Sequence, residues 1–226
     1  MRSHELLASM QVSGGVAEFT VCTANRVYQQ QLVEIGFQRT PDDSFARHLS
    51  ASSDIEYIFE NFSRHLEEIL LQHAGMRPIR WEEALTEFLK RVEGTEVRWW
   101  LAGSAALAVR GIDVAPRDLD FAVSDAHVVG RLLEDLLVEP VTNLKHWVAE
   151  WFGRAFHGAL IEWVSDVHPD AAGQGLEQGP AAASRLDTLR WAGHSVRVTP
   201  LDLQLAVAER RGQQNLAGKI RGLLGH

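Results

Sequence analysis

Hydrophobic residues recur with two different periods along this chain, and in its first ninety residues the periods predict a small α+β unit. Apolar side chains at helical spacing mark the segment that Gly36 ends and a longer segment that ends at Gly75. Strand formers and a Pro-Asp-Asp turn indicate strands around the first helix. The predicted elements are a strand at 16–24, a helix at 25–36, two short strands within 37–50, and helices at 54–75 and 81–94.

From Val97 onward, strand-like and helical segments alternate. The predicted elements are a buried strand at 97–103, a short helix at 104–111, a strand at 117–123, a helix at 127–137, a strand at 157–168 and a strand running into a helix over 195–212. For the last helix, Thr199 is the predicted N-cap, Pro200 the first residue and Asp202 the capping-box acid. Residues 172–184 are predicted to be a loop.

The interval near Gly94 is the predicted boundary between two units. Residues 1–94 would form an accessory α+β unit that supplies acceptor recognition or dimerisation. Residues 95–226 would form a second domain, which holds the candidate chemistry. A chain of 226 residues is long enough for this division, and the whole is predicted to be an α+β protein.

The composition is that of an ordinary globular protein, with 46% hydrophobic and 23% charged residues. A formal net charge of -8 argues against a protein that coats nucleic acid, because no basic excess neutralises phosphates. Cys22 is the single cysteine, which excludes an intramolecular disulfide and disfavours a thiolate zinc site. Neither a signal peptide nor the ~18 consecutive apolar residues of a membrane helix are found, so a cytoplasmic protein without a membrane partner is expected.

Candidate chemistry lies in the segment Arg-Asp-Leu-Asp-Phe-Ala-Val, residues 117–123. Strand alternation places Asp118 and Asp120 on one face, about 6.6 Å apart at ~3.3 Å per residue. Two carboxylates that close repel each other, and magnesium, which prefers oxygen ligands and substrate phosphates, would relieve the repulsion. Taken alone, the pair fits a solvated edge strand better than a metal site.

The upstream context changes that balance. Gly103 and Ser104 stand where a predicted strand turns into a helix. Glycine permits close backbone approach, and the free N–H groups of a helix start attract phosphate. A Gly-Ser turn by itself is better explained as a turn with an N-cap. Combined with the downstream acids, it brings phosphate donors and metal ligands to one end of a sheet.

The segment Trp99–Val123, with Gly103-Ser104 followed by Asp118 and Asp120, resembles the signature of the DNA polymerase β-type nucleotidyltransferase superfamily. It is most similar to the group of aminoglycoside nucleotidyltransferases and of toxin–antitoxin and abortive-infection nucleotidyltransferases, in which a basic residue, here Arg117, often precedes the acids. The resemblance covers residues 97–226. It implies a mixed sheet with flanking helices, and transfer of a nucleoside monophosphate from a nucleoside triphosphate to a hydroxyl, with two magnesium ions held by three carboxylates. Manganese could replace magnesium.

The resemblance also implies a third acid, for which the predicted strand at 157–168 offers Glu162 and Asp166 on the same face. The family places this acid a few residues after a glycine that opens the strand, and Gly158 then favours Glu162, with Asp166 as the rival. The predicted metal ligands and catalytic residues are therefore Asp118, Asp120 and Glu162. The predicted nucleotide-binding residues are Gly103, Ser104 and Arg117. Glu162 would also take the acceptor proton.

The chain departs from the family's pattern in its last helix. Relatives often carry a lysine near Val207 and a Lys-Asp near Gln214-Asn215, whereas this chain keeps only Arg210-Arg211. A catalytically weakened member, acting as a nucleotide-binding, antitoxin or partner module, is therefore the alternative. A glycosyltransferase, which also uses D-x-D, is disfavoured by the close Gly-Ser helix.

The acceptor is left open by the sequence. An antibiotic hydroxyl, another small metabolite, a protein side chain and an RNA end all fit a nucleotidyl transfer. Nucleic acid is otherwise an unexpected partner, and a homo-oligomer is compatible with the sequence.

Overall fold

The computed structural model describes residues 6–144, 148–168 and 177–225. These residues form an α+β protein, as predicted, with helices packed on two sheets. The strands are β1 Leu6–Ser13, β2 Val16–Thr23, β3 Gln38–Arg39, β4 Phe45–Ser50, β5 Trp99–Ala102, β6 Asp118–Val123, β7 Leu137–Asn143, β8 Ala149–Phe156, β9 Leu160–Val167, β10 Asp187–Trp191 and β11 His194–Val198. The helices are α1 Arg26–Glu34, α2 Ile55–His73, α3 Trp81–Val92, α4 Gly103–Ala108, α5 Ala126–Leu132, α6 Pro180–Ala183, α7 Leu201–Arg210 and α8 Gln214–Leu224.

The smaller sheet lies in the N-terminal part and is antiparallel, in the order β1-β2-β4-β3. In β2, Ala17, Phe19 and Val21 are fully buried, as a strand with one apolar face requires. The long helix α2 covers this face, and its Phe62 packs against Phe19 and Phe37. None of the described helices is both long enough and apolar enough to cross a membrane.

The larger sheet has the order β10-β11-β5-β6-β9-β8-β7 and is mixed. β5 and β6 are antiparallel, whereas β6 and β9 are parallel. The central strands are largely buried: Leu119, Phe121 and Trp163 belong to the main core, whereas Ala122 and Val164 form a smaller cluster with Phe152 on the other face. The predicted mixed sheet with flanking helices is confirmed.

One hydrophobic core joins the two sheets. Phe88 of α3 stacks on Phe121 of β6 with ring centroids 3.7 Å apart, and the core cluster runs without a break from β2 to β11. α2 also packs on β7. The predicted boundary near Gly94 falls between α3 and β5, and it stays a prediction.

Two local predictions need correction. α7 begins at Leu201 with Pro200 at its N-cap and without a side-chain capping bond, and the Thr199 hydroxyl donates a 2.7 Å hydrogen bond to the carbonyl of Glu177. Asp202 makes no capping bond and pairs with Arg185. Of the predicted loop 172–184, residues 172–176 lie outside the described residues, and Pro180–Ala183 form the short helix α6.

Candidate active site

The Asp118–Asp120 pair lies on β6, directly beside the turn from β5 into α4. Asp120 is opposite Ala102 in the antiparallel register, so its carboxylate lies against Gly103. A Cβ atom on Gly103 would overlap Asp120 Oδ2, and Gly103 has a φ of 62°. Both the close approach and the left-handed backbone require glycine here. The strand, the Gly-Ser turn and the paired acids thus meet at one end of the sheet.

The two carboxylates lie in an environment that disfavours their negative charge. Burial raises the pKa of Asp118 to about 6, with a further contribution from the charge of Glu162. Burial also raises the pKa of Asp120 well above its usual range, and the charges of Asp118, Glu162 and Glu177 add to this. A cation would relieve this repulsion, and oxygen donors of this kind suit magnesium.

Asp118→Asn should therefore stabilise the metal-free protein at neutral pH. A carboxyl whose pKa is raised on folding contributes stability below its unfolded pKa, and this contribution is lost as the pH rises through the folded value, here about 6. Removing the charge should raise the free energy of unfolding by up to ~3 kcal/mol at pH 8. Each kcal/mol should raise the melting temperature by roughly 2–4 °C.

Thermal melts in chelator at pH 8 and pH 4 measure this effect. The gain should nearly vanish at pH 4, where wild-type Asp118 is itself protonated. Asp113→Asn is the matched control, since the Asp113 side chain is fully exposed. A variant no more stable than the wild type at pH 8 would contradict the proposed charge repulsion.

Glu162 stands next to the pair, on the parallel neighbour β9, where it is opposite Asp120. Its Oε1 accepts a 2.7 Å hydrogen bond from Arg154 Nε, and Arg154 Nη2 lies 2.7 Å from the same oxygen. Within 6–144, 148–168 and 177–225, no three His, Cys, Asp or Glu side chains converge as a metal site. The structure brings the three predicted acids to adjacent positions, with the third acid paired to an arginine.

Asp166, the rival third acid, lies elsewhere. It is exposed near the end of β9, with a φ of 55°, and its Oδ2 accepts a hydrogen bond from Ser165 Oγ. Neither of the two clefts at the acidic pair includes it.

Two clefts adjoin the pair and share Gly103, Asp120, Glu177 and Arg211. The first cleft, of about 520 Å³, is the one lined by Ser104, Arg117, Asp118 and α7 residues. The second cleft, of about 480 Å³, is the one lined by Val148, Glu162, Gln178 and Arg210. Both have the size of small-molecule sites, and they meet at Asp120.

The predicted nucleotide-binding residues all line the first cleft. Gly103 and Ser104 begin α4, and Arg117 immediately precedes β6. Arg117 is largely exposed, and its Nη1 lies 3.8 Å from Glu34 Oε2 at the end of α1. The structure thus brings Gly103, Ser104 and Arg117 together with the acids.

Glu177 is a residue of this site that sequence reasoning missed. Its carboxylate accepts a 3.1 Å hydrogen bond from Gln204 Nε2, and its carbonyl oxygen accepts bonds from Trp100 Nε1 and Thr199 Oγ1. Burial raises the pKa of Glu177, opposed by the Gln204 bond, the charge of Arg211 and the Gly103 N–H. No pattern marks Glu177 in the sequence, because its position depends on contacts with β5 and with the segment before α7.

The helix α7 provides the remaining wall of the first cleft. Val207, at the place where the sequence resemblance led us to expect a lysine, is apolar and buried. Positive charge at the clefts comes instead from Arg117, Arg210 and Arg211. Arg211 is near enough to oppose the rise in the pKa of Asp120.

No protein-family model matches the chain, and no curated protein sequence does. Among solved structures, a candidate nucleotidyltransferase from Thermotoga maritima is similar over 65% of this chain and 95% of its own, with 19% identity and a TM-score of 0.49. ANT(2″)-Ia in complex with adenylyl-2″-tobramycin, an aminoglycoside nucleotidyltransferase, is similar over 62% of this chain and 87% of its own, with 14% identity and a TM-score of 0.41. At these identities and TM-scores the function has to rest on the site itself.

Proposed function

We propose that the protein is a metal-dependent nucleotidyltransferase, which moves a nucleoside monophosphate from a nucleoside triphosphate to a hydroxyl acceptor. The observation that carries this proposal is the juxtaposition of Asp118 and Asp120 with the turn at Gly103, between two clefts. One cleft offers phosphate-binding groups, and the other contains a further carboxylate. Donor, acceptor and acids would then meet at Asp120.

The first cleft is proposed to bind the nucleoside triphosphate. Backbone N–H groups at Gly103 and Ser104, with the Ser104 hydroxyl, would orient the phosphates, while Arg117 and Arg211 would offset their charge. Asp118, Asp120 and Glu162 would hold two magnesium ions, or manganese. When bound, such ions polarise the α-phosphate and stabilise the leaving pyrophosphate.

The second cleft is proposed to bind the acceptor, because it holds Glu162 and opens beside Asp120. The Glu162 carboxylate would receive the proton of the acceptor hydroxyl. Arg210 and Gln178 line the same cleft and could donate hydrogen bonds to a polar acceptor. A small molecule, a protein side chain or an RNA end is compatible with such a lining.

The alternative is a catalytically weakened protein that binds nucleotide or a partner, such as an antitoxin module. Two observations favour it. Val207 provides no charge where relatives often carry a lysine, and the Glu177 carboxylate lies at the Gly103 N–H. A fixed negative charge at that place would repel a phosphate unless a cation intervenes.

Binding of a nucleoside triphosphate should require magnesium or manganese. Calorimetry with each of the four triphosphates, with metal and with chelator, measures this requirement. Asp118→Asn/Asp120→Asn should lose the metal-supported binding, because it removes the carboxylates that bridge protein and metal, and Asp113→Asn should retain it. Equal affinity in chelator would remove the metal-bridged scheme.

Incubation with labelled triphosphate, magnesium and a cell extract would then identify the acceptor class. A labelled small molecule, protein or RNA supports transfer. Metal-supported binding without any labelled product supports the weakened alternative.

A further inference from the structure

Four charged residues form a row across four neighbouring strands of the larger sheet. Asp120 on β6 is opposite Glu162 on β9, Glu162 is opposite Arg154 on β8, and Arg154 is opposite Glu139 on β7. Directly opposed side chains on one face of a sheet are close enough to interact. The row therefore links the acidic pair to the far edge of the sheet, where β7 meets the N-terminal unit.

Arg154 is the centre of this row, and it is buried. Its side chain is 8% exposed, and that of Glu139 is 1% exposed. Arg154 Nη1 donates to Glu139 Oε1, and the two contacts with Glu162 described above converge on Oε1. The guanidinium also lies over the ring of Phe152, 5.1 Å from its centroid. A planar fork with two acidic partners has very little freedom to reorient.

Residues of the N-terminal unit hydrogen-bond to Arg154 and to its partner Glu139. Arg154 Nη1 donates a 3.0 Å hydrogen bond to the carbonyl oxygen of Ile35, just after α1. Arg47 on β4 binds the other oxygen of Glu139, with Nε at 2.9 Å and Nη2 at 2.8 Å. Glu139 thus receives one arginine on each carboxylate oxygen, and one of these comes from the smaller sheet.

Within the described ranges, the hydrogen bond and the ion pair of Glu162 both involve Oε1. Its side chain is 19% exposed and lines the second cleft. Because two N–H groups of one guanidinium hold Oε1, Oε2 is left to face another partner. An arginine that fixes one oxygen of a carboxylate sets the direction of the other.

We propose that Arg154 is a positioning residue of the active site: held by Glu139 and the Ile35 carbonyl, it orients Glu162 as the third carboxylate beside Asp118 and Asp120. The inference rests on the proposed function for the role of Glu162. It adds that the N-terminal unit is part of the catalytic apparatus through Arg47 and Ile35. Acceptor recognition or dimerisation is then not the only contribution of that unit.

The opposing interpretation is that Arg154 only neutralises buried acids and holds the two units together. Arg91 gives a matched comparison, since it also joins the two parts of the chain. It donates to both carboxylate oxygens of Asp135, at 2.7 and 2.9 Å, and to the Leu132 carbonyl. Arg91 lines neither of the two clefts. A lysine at either position keeps the charge and loses the planar fork.

The test compares Arg154→Lys and Arg91→Lys in the full chain, by Mn²⁺ calorimetry with a non-hydrolysable triphosphate and by thermal melts. Arg154→Lys should weaken Mn²⁺ affinity by about 10–100-fold, as second partners of metal ligands typically do. Arg91→Lys should leave Mn²⁺ affinity unchanged and should lower the melting temperature less, because Arg91 is 30% exposed whereas Arg154 is 8% exposed. Arg47→Lys, two contacts further from Glu162, should weaken Mn²⁺ affinity less than Arg154→Lys does.

A double-mutant cycle with Glu162→Gln tests the route of the effect. If Arg154 acts through Glu162, Arg154→Lys should have no further effect on Mn²⁺ affinity in the Glu162→Gln background. Additive losses, or a change in melting temperature alone, would overturn the positioning role while the proposed function stands. A wild-type protein that binds neither Mn²⁺ nor triphosphate would overturn both.

Discussion

Glu162→Gln should reduce nucleotidyl transfer by about 10²–10⁴-fold, the range for removing an acid–base group, whereas Asp166→Asn should retain most of the activity. Glu162 lies opposite Asp120 and lines the second cleft, while Asp166 is exposed and lines neither cleft. Four strand residues at ~3.3 Å each separate the two acids by about 13 Å, too far for one metal cluster. Glutamine keeps the shape of Glu162 and removes its charge.

Rates of transfer for both variants, together with Mn²⁺ affinity and melting temperature, measure this difference. Glu162→Gln should weaken metal binding and leave the fold intact, because glutamine can still accept a hydrogen bond from Arg154. Asp166→Asn should change the melting temperature slightly, since asparagine tolerates the positive φ at this position. An inactive Asp166→Asn beside an active Glu162→Gln would show that the third acid is misassigned.

Gly103→Ala should lower transfer by at least ~10²-fold, the cost that misplacement of a reacting group by about 1 Å can reach. The added methyl would overlap Asp120 Oδ2, so the carboxylate has to turn away from the first cleft. Because the backbone at Gly103 is left-handed, alanine at this position is strained, and the strain destabilises the folded protein by roughly 1–2 kcal/mol.

Gly111→Ala separates the two effects. Gly111 also has a positive φ, 85°, but a Cβ there would meet no atom within 4 Å. Both variants should therefore lose a similar amount of stability in denaturant unfolding, and only Gly103→Ala should lose transfer and metal-supported nucleotide binding. Equal activity of the two variants would contradict a role for the Gly103–Asp120 contact.

Local patterns predicted the part of the site that lies close together in the sequence. Strict alternation placed Asp118 and Asp120 on one face of a strand, and the apolar run before Gly103 predicted the neighbouring strand; both strands are found. The helices α2 and α3 were predicted equally well, since their apolar faces repeat at helical spacing. The catalytic and binding roles of these residues stay predictions.

Long-range pairing explains what the sequence did not reveal. β7 and β8 were not predicted, because their buried positions include polar residues whose hydrogen-bond partners lie far away in the sequence. Glu139 is neutralised by Arg47, which lies 92 positions earlier, and Arg154 is bound to the carbonyl of Ile35, 119 positions earlier. β1, β10 and α8 were also missed.

Contacts between residues far apart in the sequence also explain why the predicted N-cap at Thr199 was wrong. The sequence Thr-Pro-Leu-Asp fits a helix start with Thr199 as the cap, which is the locally favoured arrangement. In the fold, the Thr199 hydroxyl lies within hydrogen-bond distance of the carbonyl oxygens of Leu101 and Glu177, which are 98 and 22 positions away in the sequence. Glu177 was not predicted as a residue of the site for the same reason.

The position of β11 beside β5 determines when the site can be completed during synthesis of the chain. Val198 is opposite Leu101 in parallel register, and α7, which follows β11, forms a wall of the first cleft. Contacts between residues so far apart in sequence form late and slowly. A ribosome-bound chain that ends before β11 would already contain Asp118, Asp120 and Glu162, yet it would lack Gln204 and Arg211. The growing chain therefore acquires the complete wall of the first cleft only after α7 has emerged and packed.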